Sequence, residues 1–554
     1  MRTRWALVVV ATSLACGSDA PSNGADTSGS STGGTSTSES GVDSSSTGDE
    51  PSDRIPLPTN RDAAILFVVD DSATMGAVQG RLALGAAAFW GPLENAGANF
   101  RVAFTTTDNG NPTCNAGTVD AGALVMSSCR TRLGDFSIDM EDASAQACMD
   151  VCTLPTLDLL PTVTGRDPAS AVRPWLEGGG GSNLADPGAF AEAFACAAPQ
   201  GIAGCGFASL LESMHLALAR ATTEGDPAYG FIEEAAVLAV VLVSNETDCS
   251  NDPAWSSIFL GEADGGDPSV FWSDPMASAP TSAVCWNAGV VCTGGPSVYD
   301  ECHSVNKDVA GNGGAADDDA VLYPLSRYVD ELQAIEDSKQ ALAPDQQVIV
   351  ASIAGVPAGY ESGASEIMWA PAEDAAQQDE YGIGAGCLDA LGGFAVPPVR
   401  ERELTEAFET TSMRSVFSVC EGDYAGSLAE IANRVVDQLS LSCAPLCVAD
   451  TDPGPIGVQP SCTVVQEAPG QPDLEIPSCN GNDFPNGVDV CWIARVDFSE
   501  DTERLWDDMS PMCVAAGWNL EIDIHRAVPL PAGGAITFAC EPSPNPAIDC
   551  PNLP

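Results

Sequence analysis

The chain has 554 residues, with 78 acidic side chains against 21 basic ones and a formal net charge of −57 at pH 7. That length carries two or three domains with full-sized cores. The charge excludes nucleic acid as a partner and electrostatic docking on anionic lipid, since phosphates would be repelled.

Residues 1–16 read as an export signal. Arg2 and Arg4 precede an apolar stretch from Trp5 to Ala11, followed by Ser13, Leu14, Ala15 and Cys16. The stretch is shorter than the roughly 18 apolar residues a membrane span needs. Cys16 resembles the lipid acceptor of a bacterial lipobox, and Gly17 after it resembles the sorting signal of Gram-negative lipoproteins bound for the outer membrane. Of 21 cysteines, setting Cys16 aside leaves 20, which can pair completely; the alternative is one free thiol. Twelve lie between Cys114 and Cys420 and eight between Cys443 and Cys550, so each region can close its own disulfides in an oxidising compartment. Residues 17–60 are Ser, Thr, Gly and Asp with almost no large apolar side chain, the composition of a flexible, solvated tether.

The first strong element is Ala63 to Val69, an unbroken apolar run that reads as a strand buried on both faces. It stops at Asp70 and Asp71. A helix follows, with Val78, Leu82, Phe89 and Leu93 on one side. Further strands are predicted at Phe100–Thr106 and Ala121–Met126. Between Cys114 and Cys152 comes an irregular, cysteine-bearing insertion. Asp186-Pro187 starts a helix carrying Phe190 and Phe194. Gly201–Gly206 leads to another with Phe207, Leu210, Leu211, Met214 and Leu218 on one face. Ala235–Val243 is a second buried strand. Then follow a cysteine-bearing excursion (Cys285, Cys292, Cys302), a helix from Leu325, a strand at Gln347–Gly355, a last strand at Ser415–Val419 and a helix with Leu428, Ile431, Val435 and Leu439. Strands alternating with helices define an α/β fold with a doubly wound, mostly parallel sheet. From Cys443 to Pro554 short β-type runs at Val464, Trp492–Val496, Leu520–Ile524 and Ala535–Phe538, set among Pro, Gly and eight cysteines, predict a small disulfide-rich β module.

The carboxyl edge of such a sheet is where ligands bind. The first strand delivers Asp70, Ser72 and Thr74 there, hard oxygen donors suited to Mg²⁺ or Ca²⁺. Without a metal the same residues end the strand and cap the next helix. This Asp-x-Ser-x-Thr after a buried strand resembles the opening of the metal-ion-dependent adhesion site of von Willebrand factor type A (VWA) domains. The resemblance covers residues 61–442 and implies a non-enzymatic binding domain whose partner, a protein or peptide, completes the metal sphere with an acidic side chain. In that family a Thr from the loop before the third helix and an Asp after the next buried strand join the site. Here those positions carry Cys205 and Asn245, with Glu246 and Asp248 close enough in sequence to substitute, and Asp108 near the same edge.

Nothing in the sequence marks an enzyme. The three histidines, His215, His303 and His525, form no zinc-protease pair. Gly359 to Gly363 lacks the spacing of a nucleophile elbow, and Gly178–Gly181 lacks the Lys-Ser/Thr ending of a phosphate loop. Cys148/Cys152 and Cys443/Cys447 have zinc-like spacing, but in an exported chain with an even cysteine set they read as disulfides. The expectation is an outer-membrane lipoprotein at the cell surface or periplasmic face. It touches the membrane through the Cys16 anchor alone and binds through the 61–442 domain. The alternative is a metal-free structural or surface-coat protein of the envelope.

Overall fold

The computed structural model describes residues 54–57, 61–114, 119–138, 140–179, 181–341, 346–390, 392–409, 413–439, 442–451, 458–468, 471–481, 484–496, 509, 513–514, 517–526 and 535–550. The export signal, Cys16 and nearly all of the 17–60 segment lie outside the described residues. No described helix is long and apolar enough to cross a membrane.

The described chain enters with a three-residue strand, β1 (Ile55–Leu57), and then the eight-residue β2 (Asp62–Val69). Helices α1 (Gly76–Leu84) and α2 (Ala86–Asn95) follow, then β3 (Asn99–Thr106), β4 (Leu176–Gly178), α3 (Phe190–Ala197), α4 (Leu210–Thr222), β5 (Val237–Val243), α5 (Leu325–Gln340), β6 (Ile349–Ala354), α6 (Val399–Ala407), β7 (Val416–Ser418) and α7 (Ala425–Gln438). Six strands form one sheet in the order β7-β6-β5-β2-β3-β4, parallel throughout except for β4, which runs antiparallel along β3.

The two-residue period of β2 divides its side chains between two cores. Ile65, Phe67 and Val69 pack with Leu82 of α1, Phe89 of α2, Phe194 of α3 and Ile431 of α7. Ala64, Leu66 and Val68 pack with Met214 of α4, Leu332 of α5 and Leu404 of α6. Helices therefore cover both faces, as the unbroken apolar run requires. Phe67 lies 5.3–5.5 Å from the rings of Phe89, Phe104 and Phe194. Truncating such a residue to Ala typically costs about 3–5 kcal/mol, so the strand that carries Asp70 is firmly seated.

The structure corrects several sequence expectations. Ala121–Met126 is no strand: Ala121 and Gly122 both take positive φ (46° and 73°), which breaks the extended backbone, and Val125 N–H alone donates to Phe104 O. The edge position falls to β4 instead. The helix after Asp70 is two helices, parted at Gly85, where a Cβ would meet Leu428 Cδ1 at 2.3 Å. Phe207 precedes α4 rather than lying on it.

All twenty cysteines from Cys114 onward are paired, and each region closes its own bridges. Cys148 and Cys152, whose sulfurs lie within 4.8 Å of one another and of Cys129, belong to separate disulfides, with Cys129 and Cys196. Cys443 and Cys447 likewise bond elsewhere, to Cys513 and Cys550. The zinc-like spacings are therefore disulfide halves. So full a set of bridges forms in an oxidising compartment.

The C-terminal region builds β8 (Cys462–Glu467), β9 (Leu474–Ile476), β10 (Val490–Arg495), β11 (Glu521–Arg526) and β12 (Ala535–Cys540). β10 pairs with β11, and the other sheet runs β1-β12-β8-β9, all antiparallel. Ile55–Leu57, which the sequence reading leaves in the tether, is thus an edge strand of the C-terminal sheet, where Leu57 joins a core with Val464, Ile536 and Phe538. A three-residue strand carries too little periodicity to stand out from its polar surroundings.

Candidate cation site at the carboxyl edge of the sheet

β2 and β5 are adjacent and parallel, and the order of the sheet reverses between them: β3 and β4 lie beyond one, β6 and β7 beyond the other. The crevice outside such a reversal is the usual ligand site of open α/β sheets. Asp70 prolongs β2 into it, its N–H donating to Val243 O at 2.9 Å, and Ser244 prolongs β5.

The Asp70 side chain is fully buried. Its Oδ1 accepts from Ser72 N–H at 2.8 Å and its Oδ2 from Ser244 Oγ at 2.6 Å. Burial raises its pKa, with these hydrogen bonds opposing. Ser72 is buried too, and its Oγ has no hydrogen-bond partner. It opens the turn Ala73–Met75 that leads into α1. Thr74 Oγ1 donates to Asn245 Oδ1 at 3.1 Å, so the first and second loops of the predicted site do meet, and both oxygens keep lone pairs. Glu246 is 8% exposed, and its Oε2 has no hydrogen-bond partner. Burial, then the neighbouring charges of Asp70 and Glu380, push its pKa well above the usual carboxylate range.

Asp248 does not join this group. Its Oδ2 accepts from Arg400 Nε at 2.9 Å, and its Oδ1 accepts from Leu211 N–H and Ser250 Oγ. It fixes the start of α4 and neutralises a buried guanidinium, so Glu246, two residues earlier, is the carboxylate left beside Asp70. Cys205, at the position where the VWA family has Thr, is bonded to Cys114 and offers no oxygen. Asp108 turns to its own loop, its Oδ1 accepting from Gly110 N–H.

Two residues that sequence reading passed over hold the loops in place. Gln79 is fully buried on α1; its Nε2 donates to Asp70 O and Gly201 O, and its Oε1 accepts from Gln200 and Gly201 N–H. A polar side chain beside Val78 on the inward face of a helix was the available signal. Asp71 is buried against Gly204, whose N–H donates to Asp71 O and where a Cβ would come within 2.2 Å of the carboxylate. Thr107 Oγ1 donates to Asp71 Oδ1 at 3.2 Å. Burial foremost, then Asp70 and Asp108, raise the Asp71 pKa well above its ordinary value.

The donor set is Asp70, Ser72, Thr74, Asn245 and Glu246. Two buried carboxyls that repel each other and two buried oxygens without partners are what a hard dication would relieve, so the residues fit Mg²⁺ or Ca²⁺.

No protein-family model matches the chain, and no curated protein does. Among solved structures, two of the pilus adhesin SpaC from Lactobacillus rhamnosus GG align with 88% of this chain. One aligns at 10% identity with a TM-score of 0.27. The other, in an open conformation, aligns at 9% with a TM-score of 0.29. The alignments cover 40% and 39% of the SpaC chains, so this chain spans well under half their length.

Proposed function

We propose that the protein is an exported, envelope-anchored binding protein whose 61–442 domain is VWA-like and engages a protein or peptide through a divalent cation at the β2/β5 strand ends. The observation that carries this reading is the unpartnered Ser72 Oγ and Glu246 Oε2 beside the buried Asp70 carboxylate. The sheet order, with its reversal at β2/β5 and one short antiparallel edge, supports the VWA-like assignment. Asp70, Ser72, Thr74 and Glu246 would hold Mg²⁺ or Ca²⁺, with Asn245 as a neutral oxygen ligand. The ion would supply a Lewis-acidic position for a partner's carboxylate. The protein's own residues fix the loops: Ser244 holds Asp70, and Gln79 ties Asp70 to the 200–204 loop.

Anchoring through Cys16 at the outer membrane belongs to the same proposal and rests on the sequence around that residue. Isothermal titration of the exported chain with Mg²⁺, Ca²⁺ and Mn²⁺ tests the site. Binding that disappears in Asp70→Asn and weakens in Glu246→Gln is expected. No heat at millimolar cation would remove the metal and leave the second reading, a metal-free structural protein of the envelope. That reading is favoured by the Asp70 carboxylate already having a donor on each oxygen.

A further inference from the structure

Next to the strand ends lies a cavity of about 430 Å³, whose inner rim includes Thr74 and Asn245. Its walls come from the two cysteine-bearing insertions. One is the Glu141–Gln146 segment, within the Cys129–Cys148 bridge and packed so tightly on α1 that a Cβ at Gly76 would meet Ala143 Cβ at 2.4 Å. The other is the hairpin of Cys387–Leu388 with Phe394–Ala395, tied to the end of β7 by Cys387–Cys420 and braced by Phe394 stacked on Tyr381 (ring centroids 4.4 Å apart, planes at 10°). Disulfides thus hold both walls, and the cavity is a built feature of the edge.

Its charges decide what it can take. Glu141, Asp142 and Asp389 line it against a single cation, Arg81. Arg81 is already committed: Nε donates to Tyr424 Oη at 3.1 Å, Nη2 to Val419 O at 3.2 Å, the guanidinium lies over the Tyr424 ring, and Nη1 is 3.7 Å from Asp389 Oδ2. An acidic ligand reaching for Arg81 would compete with Asp389 and face two further carboxylates. A cationic one meets net negative charge, within a chain of net charge −57 that repels anions generally. Asp389 is also well placed, since Gly393 N–H donates to its Oδ1 at 2.6 Å and fixes it at the hairpin tip while Oδ2 faces the cavity wall carrying Arg81. Tyr381 and Phe394 supply apolar surface for an aliphatic stem.

We infer that this cavity receives a lysine or arginine side chain of the partner, paired with Asp389 and flanked by Glu141 and Asp142. The inference rests on the binding-protein reading above and names the chemistry the partner presents beside the cation.

The test is fluorescence anisotropy with the exported chain and a fluorescein-labelled peptide Gly-Lys-Ala-Arg-Gly, against Gly-Glu-Ala-Asp-Gly, in buffer of physiological ionic strength. The basic peptide is expected to bind and the acidic one not. Asp389→Asn, which keeps the Oδ1 acceptor for Gly393, should weaken binding roughly tenfold or more, the usual worth of a charge-assisted hydrogen bond. Glu262→Gln, which removes a charge outside the cavity, should leave binding unchanged. Ala77→Trp, at the cavity wall, should abolish it; if that variant does not fold, the exposed pair Glu141→Gln/Asp142→Asn serves in its place, with weakening expected. Equal affinity for the two peptides, or equal weakening by Asp389→Asn and Glu262→Gln, would overturn the inference. Asp70→Asn separates it from the cation site: peptide binding should survive there while cation binding is lost.

Discussion

Ser244 Oγ donates to Asp70 Oδ2 at 2.6 Å, joining the residues that end two adjacent parallel strands. This bond closes the crevice floor and sets the rotamer of the carboxylate, whose other oxygen is turned toward Ser72 N–H. Ser244→Ala leaves Oδ2 without that donor in a fully buried position. A hydrogen bond to a charged group contributes about 1.5–3 kcal/mol. Urea unfolding should show a loss of that order, and titration of the same variant should show weaker cation binding.

Gly204 sits where a Cβ would come within 2.2 Å of the Asp71 carboxylate. Asp71 cannot retreat, because it is buried and its Oδ1 takes the Thr107 hydroxyl. Gly204→Ala must push the loop away from Asp71 or displace the carboxylate from Thr107. Overpacking of this kind typically costs about 1–3 kcal/mol. The expected result is a lower melting temperature with the disulfide set intact, read by calorimetry and by mass spectrometry under non-reducing conditions. A variant as stable as the parent would mean that the loop gives freely.

How legible the protein is in its sequence follows from the range of the interactions concerned. The apolar runs ending at Val69 and Val243 reveal buried parallel strands, because burial on both faces is a local property of the residues. Asp70, Ser72 and Thr74 declare a polar strand end for the same reason. Asn245 meets Thr74 as its position after the second strand implies. Asp248 looked equally available, yet its partner Arg400 lies 152 residues away on α6, and only the folded chain shows the pairing. Gln79 was concealed among apolar helix positions. Edge strands β1, β4 and β9, three residues each, carry too little pattern to be read.

Glu401 is the neighbour of Arg400, fully buried, with neither carboxyl oxygen hydrogen-bonded. Burial, reinforced by the charge of Asp248, raises its pKa to about 8. The unfolded chain releases this proton near the ordinary value of 4.5, so below that pH both states hold it and stability is unaffected. As pH rises from 4.5 towards 8 the unfolded state is increasingly favoured, by up to about 1.4 kcal/mol per pH unit, and above 8 the effect levels off. Glu401→Gln mimics the protonated form. Its melting temperature should exceed the parent's by a margin that grows between pH 5 and pH 8 and vanishes near pH 4. A margin independent of pH would show that Glu401 does not titrate across that window.

Arg61, immediately before β2, reaches into the C-terminal region, pairing with Glu521 and, at 3.1 Å, with Asp523 on β11. Asp523 also accepts from Arg495 and His525. Burial would raise its pKa, but the His525 hydrogen bond and the charges of Arg495 and Arg61 outweigh it and hold the carboxyl far below its usual range. A depressed carboxyl gives stability that is present above the unfolded value of 3.8 and is lost as pH falls below it. Removing one partner of a buried pair costs about 3–5 kcal/mol. Arg61→Ala should therefore loosen the C-terminal region from the start of β2. Urea unfolding of the variant is expected to separate into two transitions, the earlier one reporting Trp492 fluorescence from the C-terminal core. The loss relative to the parent should shrink as the pH is lowered from 5 towards 2, because the parent forfeits the same interaction when Asp523 takes up its proton. A single transition with a constant loss across that range would place the coupling elsewhere than in Arg61.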